Sequence, residues 1–133
     1  PEQKVRFVHG AIDYSGKGVV EFVMGNSNLS SYVDSGLETD LQKQDVPAVT
    51  LSSLLESEGI DEYALVSDIE GAEVGLFVQD RQALSGCKRM IIELHDTIYD
   101  NEAYSVQGLI ELIQQNTGMV VSDRYGCVCV FEK

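Results

Sequence analysis

The chain has 133 residues, enough for one domain with a sizeable core, and its hydrophobic fraction of 44% is ordinary for a globular protein. Acids outnumber Lys and Arg 22 to 9, for a net charge of -13. That balance opposes docking on a nucleic-acid backbone or an anionic membrane surface, and leaves a small molecule, a sugar, or a neutral or basic protein as the expected partner.

No apolar run approaches the roughly 20 residues that span a bilayer. The N-terminus lacks the charged and apolar regions of a signal peptide. The sequence opens at Pro1 without a methionine and turns strand-like at once, so its start reads as cut. The cysteines are Cys87, Cys127 and Cys129. An odd count suits a reducing compartment, and so a cytoplasmic location, better than a disulfide framework. Cys127 and Cys129 alternate on an apolar strand, which puts their Cα atoms roughly 6.5–7 Å apart, at or beyond the reach of a disulfide. They read as small buried hydrophobes.

In chain order, Lys4 to Val8 is strand-like, and Ala11-Ile12 follows after His9-Gly10. Residues 13–18 (DYSGKG) have turn chemistry, and Val19 to Met24 is a second strand that would pair with the first as a hairpin. Gly25 to Asp45 is polar and reads as a loop, with a short strand near Tyr32-Val33. Pro47 to Thr50 is short and extended. Thr50 then caps a helix bearing Leu51, Leu54 and Leu55, stopped by Gly59. Tyr63 to Ser67 is a strand of the buried type. Val74, Phe77 and Val78 recur at helical spacing from Ala72 to about Arg81. Arg89 to Leu94 is again a buried-type strand, and 95–104 is a polar loop with two tyrosines. Ser105 caps a helix ending near Gly118. Met119 to Ser122 and Cys127 to Phe131 are strands joined by the turn 123–126. Strands alternating with helices imply a single α/β domain over 1–133, with a mostly parallel sheet covered on both faces and an antiparallel hairpin at its C-terminal edge.

In such sheets ligands bind beyond the C-terminal ends of the strands. One strand ends in Asp68 and Glu70, and another in Glu93, His95 and Asp96. Parallel strands joined by one helix tend to be neighbours, which would crowd these groups on one rim. Crowded carboxylates favour a shared cation or a proton. The same acids also suit a helix start: Glu70 and Glu73 meet free N–H groups and the positive end of the dipole, and Ser67-x-x-Glu70 fits a capping box. His95 reads equally as a structural histidine and as a base or ligand. Tyr99 and Tyr104 suit the lining of a substrate mouth, though loop tyrosines more often pack on the surface. No P-loop, dinucleotide fingerprint, nucleophile elbow, CxxC or HExxH occurs.

Three stretches carry a resemblance: 50–55 (TLSSLL), 65–73 (LVSDIEGAE) and 90–95 (MIIELH). In this order they are similar to the "TLDSLL", "K-[ILV]-D-[IV]-E-G-x-E" and "[IV]-x-[IV]-E-x-H" segments in the C-terminal half of FkbM-type S-adenosylmethionine-dependent methyltransferases. Val8 to Asp13, followed by Gly18 to Phe22, resembles a further family segment, so the likeness covers most of the chain. Ser67 stands where the family has a basic residue, and Ser52 where it has an acid. The family's Gly-rich "D-x-G-A-N-x-G" turn, and the acid that holds the cofactor ribose, have no counterpart in the 133 residues.

The resemblance implies a Rossmann-like methyltransferase sheet lacking its N-terminal cofactor-binding strands. It implies methylation of a hydroxyl on a small molecule or sugar, with Asp68, Glu70 and His95 as catalytic residues. His9, Gly10, Ala11 and Asp68 would lie against the cofactor, and Glu93, Asp96 and Tyr99 against the acceptor. Asp68, Glu70 or His95 takes the hydroxyl proton; a hard metal ion held by Asp68, Glu93, His95 and Asp96 is the less favoured arrangement. Sheet edges left unpaired by the missing strands imply an oligomer, a homodimer first. The alternative is a non-catalytic α/β module that kept the fold and works through its surface.

Overall fold

The computed structural model describes residues 4–24, 32–33 and 42–133. They fall into two compact units, Pro1–Val49 and Thr50–Lys133. Among the described residues the architecture is mixed α/β, with three α-helices and several small sheets.

The first unit holds β1 (Ala11–Ile12), β2 (Val19–Met24), β3 (Tyr32–Val33) and β4 (Gln42–Val49), in the spatial order β1-β4-β2-β3. β1 runs parallel to β4, while β2 pairs antiparallel with β4 and with β3. The hairpin expected between the first two strands is therefore replaced by pairing of each with β4. Lys4 to Val8 is not a strand, and Val5 and Phe7 are 74% and 93% exposed. Among the described residues its apolar alternation has no ladder partner, and a strand exists only where its backbone groups are paired. Conversely, the polar run Gln42–Asp45, expected as loop, is strand because β2 lies opposite it in continuous register. Pro47 is tolerated there. Ala48 N–H donates to Gly18 O at 2.9 Å, so Pro47, opposite Val19, falls where the ladder to β2 asks for no N–H. Ala11, Val20 and Val46 form a small core, with Ala48 packed against it.

The second unit begins with α1 (Leu51–Glu58), capped as the sequence predicts. Thr50 Oγ1 accepts from Ser53 N–H at 3.1 Å, and Ser53 Oγ accepts from Thr50 N–H at 3.1 Å. Gly59 ends the helix in the left-handed region, at φ 64°, a conformation that costs glycine least. After it come β5 (Tyr63–Ser67), α2 (Glu73–Gln79), a 3-10 turn at Ala83–Gly86 and β6 (Cys87–Glu93). A two-stranded ribbon, β7 (Thr97–Tyr99) and β8 (Glu102–Tyr104), occupies the segment expected as a polar loop. Its turn residues Asp100 and Asn101 both have positive φ, the backbone of a tight hairpin. α3 (Val106–Thr117), capped by Ser105, leads to the hairpin β9 (Val120–Tyr125) and β10 (Val128–Glu132).

The sheet order is β5-β6-β10-β9, with β5 and β6 parallel and the other ladders antiparallel. Counted over the described residues, antiparallel ladders outnumber parallel ones, so "mostly parallel" does not hold. The reason is connectivity: within this sheet only β5 and β6 are joined by a helical crossover in a single step, and parallel pairing needs one. Met90 and Ile92 on β6 and Cys129 and Phe131 on β10 face each other in register and are fully buried. Val66 and Ile91, also opposite each other, remain exposed, so coverage of both faces does not hold at this point. Asn116 Nδ2 donates to Phe77 O at 3.0 Å and ties α3 to α2. Burial pushes the Cys87 and Cys129 thiols up in pKa, as expected of packed cysteines, whereas Cys127 lies in the hairpin turn and is exposed.

Replacing Thr50 by Ala removes one half of the reciprocal cap and is predicted to lower unfolding free energy by about 1 kcal/mol in urea denaturation, while Thr50→Ser stays near wild type.

Candidate active site

β5 and β6 lie side by side and end at the same level, with Ser67 opposite Ile92. The chain beyond β5 carries Asp68 and Glu70, and the chain at the end of β6 carries Glu93 and His95. All converge on the imidazole. His95 Nε2 is 3.6 Å from Glu70 Oε2, 4.0 Å from Asp68 Oδ1 and 4.0 Å from Glu93 Oε1.

The other ring nitrogen makes the tightest contact. His95 Nδ1 meets Glu73 Oε1 at 2.8 Å. A carboxylate only accepts, so Nδ1 carries the proton and donates. That fixes the tautomer and turns Nε2 toward Asp68 and Glu70. Glu73 is the first residue of α2 and is wholly buried. Sequence reasoning treated it as a helix-start acid and missed this role. Both readings hold for one side chain: the carboxylate sits near the positive end of the α2 dipole and also bonds the histidine. The signal was present in the third acid of Asp68-x-Glu70-x-x-Glu73, three residues past the turn.

The capping box read from Ser67 and Glu70 does not form. α2 starts at Glu73, its cap position is Ala72, and no side chain caps it. Instead Glu70 adopts φ 49° and Gly71 φ 97°. A non-glycine residue in the left-handed region costs roughly 1–2 kcal/mol. The cost goes into aiming: the reversed backbone lets Glu70 swing back toward His95 rather than onward with the helix. Gly71 is required twice, by its positive φ and because an added Cβ would meet Thr97 Oγ1 at 3.2 Å. Thr97 Oγ1 donates to Gly71 O at 3.2 Å, so the ribbon holds the turn in place.

Asp96 and Tyr99, expected at the acceptor, make their bonds to other parts of this unit. Asp96 Oδ1 accepts from Val106 N–H at 2.8 Å and caps α3 beside Ser105. The Tyr99 hydroxyl accepts from Gln79 Nε2 at the end of α2. His9, Gly10 and Ala11 belong to the first unit, with His9 exposed and Ala11 buried.

Burial acts to lower the His95 pKa, but the hydrogen bond and charge of Glu73, then the charges of Glu70 and Asp68, outweigh it and hold the pKa above the ordinary histidine value. Chemically the arrangement is an oriented imidazole with its free nitrogen among carboxylates. It can take a proton, hold a positive charge, or share a metal ion: Asp68, Glu70 and His95 present ligand atoms within 4.8 Å of one another.

The chain belongs to the FkbM methyltransferase family: the model described as "Methyltransferase FkbM domain" matches residues 3–119. No curated protein and no solved structure matches it. Family membership makes methyl transfer the activity class attached to this fold.

Two outcomes follow. A raised folded-state pKa means that His95 adds stability below about pH 6.5, its ordinary value, and that this is lost as pH rises through the raised value. NMR titration of the His95 ring should show that upward shift, and Glu73→Gln should lower the pKa, since burial remains while the largest of the opposing carboxylate contributions is gone. Glu70→Gly relieves the left-handed backbone, so its melting temperature is predicted to be no lower than wild type even though it removes a site carboxylate.

Proposed function

We propose that this chain serves S-adenosylmethionine-dependent methyl transfer to a hydroxyl of a small molecule or sugar, as the C-terminal part of the catalytic apparatus. The observation that carries the reading is the convergence of Asp68, Glu70 and a Glu73-held His95 at the ends of two parallel strands, in a chain of the FkbM methyltransferase family. Methyl transfer forms a C–O bond as a C–S bond breaks, and the hydroxyl proton must go elsewhere. The donor supplies a methyl group on a positively charged sulfur. Asp68 and Glu70 offer negative charge to that centre, and the proton passes to the His95–carboxylate group, where the imidazolium stays among carboxylates. Glu93, at the same rim, is the residue here best placed to orient an acceptor hydroxyl.

The residues present fit the reacting end of the cofactor and not its methionine cradle. Gly10 packs closely on β4, where an added Cβ would meet Val49 Cγ1 at 2.9 Å and Pro47 O at 3.1 Å. The sequence carries no Gly-rich turn of the family type. The second reading is a non-catalytic module that works through its surface. Among the described residues β5 pairs with β6 alone, which supports assembly of this edge with a second copy of the chain.

Calorimetric titration of S-adenosylmethionine and S-adenosylhomocysteine, with the mass in solution measured alongside, tests both readings. Micromolar binding by an oligomer, weakened by Asp68→Asn, is the expected result. A folded chain that binds neither compound would reject catalysis by this chain alone and leave the module reading.

A further inference from the structure

We infer that Asp68, Glu70 and His95 form a binding site for one divalent cation, backed by the buried carboxylate of Glu73. The inference stands apart from the transferase reading, since binding an ion to these atoms requires no methyl donor. Nε2 of His95 is too far from Glu70 Oε2 (3.6 Å) and from Asp68 Oδ1 (4.0 Å) for a hydrogen bond. Those separations are the ones found between atoms that share an ion at roughly 2.0–2.4 Å from each. Glu73 holds the Nδ1 proton from behind, so Nε2 faces the two acids, and on losing its proton Nε2 offers its lone pair to an ion between them. A carboxylate behind a ligating imidazole is the usual support of a metal-bound histidine.

The second observation lies outside the rim. Glu73 is 0% exposed, reaches toward the cluster through Oε1, and its Oε2 has no hydrogen-bond partner among the described residues. A buried carboxylate is costly unless positive charge lies close by. Among the described residues its ion-pair partner is His95, and that same ring is the partner of Asp68, Glu70 and Glu93. One imidazolium carries a single positive charge against four carboxylates. A divalent ion taking the place of the Nε2 proton would raise the positive charge facing them from one to two and polarise the ring toward Glu73. Mixed imidazole and carboxylate donors suit Mn2+ or Zn2+ better than an all-oxygen ion such as Ca2+. An ion there would also lower the pKa of a nearby hydroxyl, the task given above to the free base.

The test titrates Mn2+ into the 133-residue chain without any methyl donor, following the free-ion electron paramagnetic resonance signal and the broadening of the His95 ring resonances. One ion per chain with micromolar affinity is expected. Asp68→Asn and Glu70→Gln should each weaken it at least tenfold, and both residues are half-exposed, so the variants keep the fold. Glu73→Gln, checked for folding by circular dichroism, should weaken it about 10- to 100-fold, while Asp123→Asn on β9 leaves it unchanged. No saturable binding below millimolar Mn2+, or unchanged affinity in both Asp68→Asn and Glu70→Gln, would overturn the site. Full affinity in folded Glu73→Gln would remove Glu73 from it. Mn2+ binding without cofactor binding upholds this inference while the transferase reading fails, and the reverse result separates them the other way.

Discussion

The bond between Glu73 Oε1 and His95 Nδ1 organises the candidate site. It joins the first residue of α2 to the chain just past β6, two points that the sequence keeps 22 residues apart. Glu73 is wholly buried and His95 only partly exposed, so the bond is shielded from much of the water, in a setting where a charge-assisted contact is stronger and an unmade one is costly. It also decides a chemical property: with the proton held on Nδ1, Nε2 becomes the face that meets everything else. A histidine without that partner would be free to flip its ring and exchange its tautomer.

The turn between β5 and α2 is the second constraint, and it serves the first. Strand direction alone would carry Glu70 away from His95. Consecutive positive-φ residues at Glu70 and Gly71 reverse the chain, and Thr97, at the start of the ribbon after His95, holds Gly71 by its carbonyl. The site is thus clamped from both sides, by a buried carboxylate on one and by a backbone contact on the other. Its acids are not placed by helix capping, which would have spent them on α2. The helix leaves its cap position without a side-chain bond, a local cost consistent with carboxylates turned toward the imidazole instead.

Much of the second unit was legible. The caps of α1 and α3, the left-handed glycines that end both, and the strands around Leu65 and Ile91 follow from local chemistry that acts within a few residues. The first unit was much less so. Lys4–Val8 has strand composition and no strand, and Gln42–Asp45 has loop composition and is strand. In both cases the deciding factor is a partner elsewhere in the chain, which propensity does not contain. The segment 97–104 failed for a different reason: its turn residues Asp100 and Asn101 are compatible with a tight hairpin, but its short strands carry too weak an alternation to stand out.

By itself, the sequence determined the acidic character, the α/β alternation of the second unit, the residues of the rim and the family resemblance, because each is carried by composition, period or a local motif. Only the tertiary structure decided that Glu73 is the partner of His95, that Asp96 caps a helix instead of joining the rim, and that Glu70 bends back through a left-handed turn. These are choices among equivalent carboxylates. Side chains of one chemical type look alike in sequence, and they acquire different roles only when the packing of β5, β6 and α2 fixes which of them is buried and which way its backbone turns.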